Sequence, residues 1–91
     1  MILSIGLAIK MIAMYTVALG QFTGKLAGAQ ARLQLAVVNK NDSMVQQYTE
    51  QVTMYQTLIG FYKEWIEEWK NVIKDTRQLL KSLADLGRPS Q

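Results

Sequence analysis

The sequence predicts an all-α fold: a long antiparallel helical hairpin, coiled-coil-like, that packs into a larger helical assembly. Three observations carry this. Two long proline-free runs flank a single interior cluster of turn-formers, "NKNDS" at 39–43. The second run holds an apolar seam with a 3.5-residue repeat over nearly its whole length. The first run carries a complementary seam of leucine, alanine and glycine. Together they give one domain over 1–91, with helix 1 at 2–38, a turn at 39–43, helix 2 at 44–86 and a tail at 87–91.

Helix 1 begins with "MILSIGLAIKMIAMYTVALG", in which Lys10 is the lone charge. Ile2, Ile5, Ile9, Ile12 and Val17 point in all directions around a helix, and a helix apolar all round is covered either by protein or by lipid. About 20 such residues just span a bilayer, with Lys10 near its centre at a cost of about 2.5–3.5 kcal/mol. Burial in a protein assembly is therefore ranked first, and a membrane span or lipid contact second. A cleaved signal ending at "ALG" comes third, because no basic stretch precedes the apolar run.

Further along, Tyr15, Leu19, Phe22, Leu26, Ala29, Leu33 and Ala36 alternate at three and four residues, as one helix stripe does. Beside them Gly20, Gly24 and Gly28 recur every four residues. Each costs roughly 1 kcal/mol of helix propensity relative to alanine. Glycines in register therefore suggest a face for close approach of a neighbouring backbone or a large ring.

In the turn, Asp42 or Ser43 is the expected N-cap, Ser43 with Gln46 forming a capping-box pattern. Helix 2 then runs Val45, Tyr48, Val52, Tyr55, Ile59, Tyr62, Ile66, Trp69, Ile73, Thr76, Leu80, Leu83. A 3.5-residue repeat sustained this far implies left-handed supercoiling against another helix. This explains why both tryptophans and three of the four tyrosines crowd into 48–69: they are the knobs of the seam. A hairpin about this turn pairs Leu33 with Tyr48, Leu26 with Tyr55, Leu19 with Tyr62 and Ile12 with Trp69, and brings Gly20 near Gly60. A flanking column of Leu58, Trp65, Val72, Leu79 and Leu86 widens the face beyond what one partner helix covers, which predicts a homo-oligomer. Gly87 and Pro89 form the helix stop.

Composition excludes much chemistry. There is no cysteine and no histidine, so disulfides, zinc-finger spacings, thiol nucleophiles and imidazole bases are all absent. Glu64, Glu67 and Glu68 form the one carboxylate cluster, and a solvated helix face explains it. No phosphate-binding or dinucleotide glycine pattern occurs. A non-enzyme with no metal and no cofactor is expected. The net charge of +3 is modest. In the last third the basic residues interleave with acids in pairs such as Lys63–Glu67 and Glu67–Lys70, unlike the single-sign face a nucleic acid requires. No nucleic-acid partner is expected.

The stretch "NKNDSMVQQYTEQVTMYQTL", followed by "VIKDTRQLLKSL", resembles the needle and filament subunits of bacterial type III secretion systems. Those have an Asn/Asp turn, a Gln/Tyr-rich start to the second helix and a terminal apolar–Lys–Asp pattern. The likeness covers about half the chain, which lacks the prolines of needle turns and has a more apolar first helix. The resemblance implies a non-catalytic subunit that stacks helically around a lumen, with itself as partner and a secreted or cell-surface location. The alternative is a small membrane-anchored protein whose first helix inserts in the bilayer while the second binds a partner.

Overall fold

The computed structural model describes residues 2–87, with side chains from Ile5 onward. Two helices make up the described chain: α1, Ile2–Val38, and α2, Asp42–Gly87. They fold back on each other as an antiparallel hairpin 78 Å long and only 16 by 14 Å across. The expected fold class is the observed one. The end of the tail, Arg88–Gln91, lies outside the described residues.

The turn is shorter than expected and closes by a specific mechanism. The Lys40 amide donates to the Val37 carbonyl at 3.1 Å, and the Asn41 amide reaches back to the Ala36 carbonyl at 3.0 Å. Lys40 adopts the left-handed conformation, with φ 54°. This is a Schellman closure with lysine where glycine is usual. Asn41 is then free to start α2: its carbonyl accepts the Val45 amide at 2.9 Å. Its side-chain Oδ1 accepts the Met44 amide at 3.3 Å. Asn41 is thus the N-cap, and the expected cap at Asp42 or Ser43 is corrected. Both of those residues already lie in the first turn of α2, where Asp42 favours the positive end of the helix dipole.

Two predictions arise here. Asn41→Ala should cost about 1 kcal/mol of stability in urea denaturation, the usual value of an N-cap. Lys40→Gly should gain up to about 1 kcal/mol, because a left-handed L-residue costs roughly 1–2 kcal/mol and the added freedom of the unfolded glycine returns part of that. An unchanged midpoint for both variants would show that the turn does not limit stability.

The core is a single seam. Its buried members are Ala8, Ala29 and Ala36 from α1 and Ile59 and Ile66 from α2. The three alanines share one heptad column with Tyr15 and Phe22. Small residues at its two ends let the helices approach, and the rings fill the middle. Every α2 seam position from Val45 to Leu80 is buried or half-buried, whereas Leu83 is 49% exposed. Among the described residues no side chain larger than alanine is fully buried. Apolar surface is therefore left over, and its location matters for function.

Candidate functional site

Six rings form a continuous ladder at the middle of the seam. Phe22 lies 6.2 Å from Tyr55 and 5.5 Å from Tyr62, centroid to centroid. Tyr15 lies 5.7 Å from both Tyr62 and Trp65. Trp65 meets Tyr62 edge-on at 5.2 Å and stacks on Phe61 at 6.0 Å. Such pairs contribute about 0.5–1.5 kcal/mol each beyond their area. Tyr62 sits between Tyr15 and Phe22, level with Leu19, in the register the sequence predicts. Two of the rings also reach the surface, Phe61 at 46% and Trp65 at 39% exposure.

The structure distributes the candidate packing residues unevenly. Leu19, Leu26, Leu33, Tyr48, Tyr55, Leu58, Tyr62, Trp69 and Ile73 are half-buried in the hairpin, with Ile59 and Ile66 buried at its centre. Gly20 and Gly24 are exposed and Gly28 is half-buried at the edge of that contact. A Cβ added at any of them, or at Gly60, would meet nothing within 4 Å. The close approach of Gly20 to Gly60 is therefore not made. Gly20 and Gly24 turn away because the leucines and rings beside them take the seam.

Of the apolar start, Ile5 and Ile12 are half-buried, while Ile9, Lys10 and Val17 are exposed. The side chain of Ile2 lies outside the described residues. The helix segment Ile5–Val38 is long and apolar enough to cross a membrane; over Ile5–Leu19, Ala8 is buried, Met11, Tyr15, Ala18 and Leu19 are half-buried with Ile5 and Ile12, and the remaining residues are exposed. The segment's outward face carries Gly6, Ala13, Val17, Gly20, Gly24, Ala31, Leu35 and Val38, interrupted by Lys10, Gln21 and Gln34, all exposed. Of this face, sequence reasoning picks out only Gly20 and Gly24 for packing, although the rest carries a signal: Gly6, Ala13, Gly20 and Ala27 recur every seven residues. The Thr16 and Thr23 hydroxyls donate to the Ile12 and Leu19 carbonyls at 2.7 Å, so neither needs water.

The two flanks of the hairpin differ as well. In an antiparallel pair, side chains rotated equally from the contact line fall on the same side. Leu7, Met11 and Met14 of α1 thereby share a flank with Leu58, Trp65, Val72 and Leu79 of α2. Of these, Leu7 is 50% exposed, Met14 54% and Leu79 49%. The opposite flank is more polar, with Thr16, Thr23 and Gln30, between Ile9 and Val37, beside Gln56, Lys63, Lys70 and Arg77. Glu64, Glu67 and Glu68 are exposed around the back of α2, away from α1. The surface thus divides lengthwise into an apolar half, led by α1, and a polar half, led by α2.

Charge follows a related division. α1 contains Lys10, Lys25 and Arg32 and no acidic residue, so it carries the whole net charge of +3, the seven basic and seven acidic residues elsewhere cancelling. Lys25 holds its Nζ 5.4 Å from the Phe22 ring centroid, along the helix surface. At the closed end, Arg32 borders an open cleft of about 200 Å³ with Asn39, Asn41 and Tyr48. Among the described residues no cluster of His, Cys, Asp or Glu could hold a metal ion.

The pairing of the helices restricts how the hairpin can meet a membrane. Tyr62 contacts both Tyr15 and Phe22 and is therefore about level with Leu19, so the stretch Ile5–Leu19 runs alongside α2 from about Phe61 to Asp75. That stretch contains Lys63, Glu64, Glu67, Glu68, Lys70, Lys74 and Asp75, all exposed. Crossing a bilayer as a packed pair would place these seven charges at hydrocarbon depth. At up to about 2.5–3.5 kcal/mol for each charge near the bilayer centre, and less toward its edges, this costs on the order of 10–20 kcal/mol. Spanning with α2 packed alongside is therefore strongly disfavoured.

No family model, no curated protein and no solved structure matches the chain. What the geometry defines is a class: a two-helix hairpin with a long apolar helix, mostly uncovered, packed on an amphipathic one.

Proposed function

We propose that this protein is a non-catalytic, membrane-associated helical hairpin, in which α1 makes the lipid contact and α2 presents a polar back to a partner in water. One observation carries the reading: α1 is long and apolar enough over Ile5–Val38 to cross a membrane, yet α2 covers only one stripe of it and leaves Leu7, Ile9, Met14 and Val17 at least half exposed. Apolar faces of this extent on a small protein mark an interaction site. A location at a membrane surface follows, in preference to a secreted one. Fractionation of cells expressing the full chain tests it. The protein should sediment with membranes and be released by detergent; a soluble, lipid-free hairpin would overturn the reading.

A second reading is favoured by a different observation. The outward seam of Gly6, Ala13, Gly20 and Ala27 is open, and small residues at such spacing suit a close-packed helix. On that reading the chain is a self-assembling subunit of a filament or ring, in line with the resemblance to secretion needle and filament subunits. Electron microscopy of purified protein without lipid separates the two: ordered fibres or rings support assembly, and their absence together with lipid binding supports the membrane reading.

A further inference from the structure

We propose that the hairpin lies flat on an anionic phospholipid leaflet, α1 downward and parallel to the surface, with Lys10, Lys25 and Arg32 at phosphate level. This rests on the membrane-association reading and adds its geometry and lipid class. Three observations carry it. The charged stretch Lys63–Asp75 lies alongside the apolar start of α1, which disfavours crossing as a pair but leaves α2 free to ride above α1 in water. The uncovered face of α1 runs the length of that helix, roughly 55 Å at 1.5 Å per residue of the hairpin's 78 Å, and Leu7, Met14, Trp65 and Leu79 extend it along one flank. α1 is apolar nearly all round, so the division into an apolar and a polar side belongs to the hairpin, with amphipathic α2 as its polar side; a body divided in this way settles with its apolar side about 5–10 Å into the interface.

The third observation is charge. α1 has cations only, and they lie within or beside its apolar face: Lys10 on the outward face, Lys25 and Arg32 on the flank shared with Trp65. In a spanning helix Lys10 would sit near the bilayer centre. In a helix lying flat, its four-carbon stem lies along apolar surface while the ammonium reaches the phosphates. Basic residues held at an anionic leaflet attract it strongly, whereas a neutral leaflet offers them no such attraction. Trp65 and Phe61, on the apolar flank of α2, then fall at the headgroup level that amphipathic rings prefer.

The test uses the full chain with vesicles of phosphatidylcholine alone and of phosphatidylcholine with phosphatidylserine, followed by flotation. Three cations at the surface should raise partitioning onto the anionic vesicles by up to about 100-fold, and added salt should erase most of the gain. The triple variant Lys10→Gln, Lys25→Gln, Arg32→Gln should lose that preference. Removing the same charge from the polar flank, with Lys63→Gln, Lys70→Gln and Arg77→Gln, should keep it. Tryptophan quenching by lipids brominated at different depths gives the orientation: quenching should be strongest near the glycerol level. Equal binding to both vesicles, deep quenching, or no quenching of bound protein would overturn the flat anionic mode while leaving membrane association standing. Failure to float with either vesicle would overturn both.

Discussion

Replacing Ile59 and Ile66 together by alanine is expected to unfold the hairpin at room temperature. They are the only buried side chains in the seam larger than alanine, each 9% exposed. Truncating a buried isoleucine costs about 2–5 kcal/mol, nearer the lower bound where neighbours can collapse into the gap. A thin seam allows some collapse, so each substitution should cost about 2–3 kcal/mol. The double variant then loses roughly 5 kcal/mol, which is the scale of a small domain's whole stability. Urea denaturation followed by far-ultraviolet circular dichroism measures it. Leu86→Ala is the control: at 82% exposure it should move the midpoint by less than about 0.5 kcal/mol. Equal midpoints for the double variant and wild type would mean that the stability resides elsewhere, in the ring ladder or in a partner.

The second large effect has the opposite sign. Gly20→Ala, Gly24→Ala and Gly28→Ala combined should stabilise the hairpin by roughly 2–3 kcal/mol, about 0.8–1 kcal/mol for each helical glycine replaced. The added methyl groups enter open space, so no clash opposes the propensity gain. For a chain of this size that corresponds to a rise in Tm of about 10–20 °C. The same variants report on the outward face. If lipid covers it, three methyl groups leave binding unchanged. If the helix of a second copy is seated there, the added volume should weaken assembly, and Gly24→Leu should abolish it with helix content intact. A fall in Tm would contradict the open geometry of this face.

The seam of α2 was legible because its signal is redundant. Val45, Val52, Ile59, Ile66, Ile73 and Leu80 repeat one position, and Tyr48, Tyr55, Tyr62 and Trp69 another. A repeat of that length has only one helical reading. The complementary stripe of α1 from Tyr15 to Ala36 was legible for the same reason, as was the register that sets Leu19 level with Tyr62. The cap was misread because Asn41, Asp42 and Ser43 are all good N-caps in a row. The choice among them depends on how α1 ends. Once the Schellman closure has used Asn39 and Lys40, Asn41 is the first residue free to begin α2.

The glycines show a different kind of limit. Their four-residue spacing places them on one face of α1 but does not say what that face meets. Leu19, Phe22 and Leu26 bury more apolar area against α2 than a glycine can, and this turns Gly20 and Gly24 outward. The carboxylates Glu64, Glu67 and Glu68 were legible as a solvated face, and they are exposed on the back of α2.

By itself, then, the sequence determined that the chain is two helices, where they turn, and which stripe of each faces the other. Those follow from periodicity, proline-free length and turn chemistry, all local to a window of a few turns. Only the tertiary structure decided which surface is left over. Folding α2 back along α1 sets the charged stretch Lys63–Asp75 beside the most apolar part of α1, gathers Trp65 and Leu79 on one flank with Met14, and leaves the small-residue face of α1 open. These are relations between residues roughly fifty positions apart in the chain, and the register of an antiparallel pair is what brings them level.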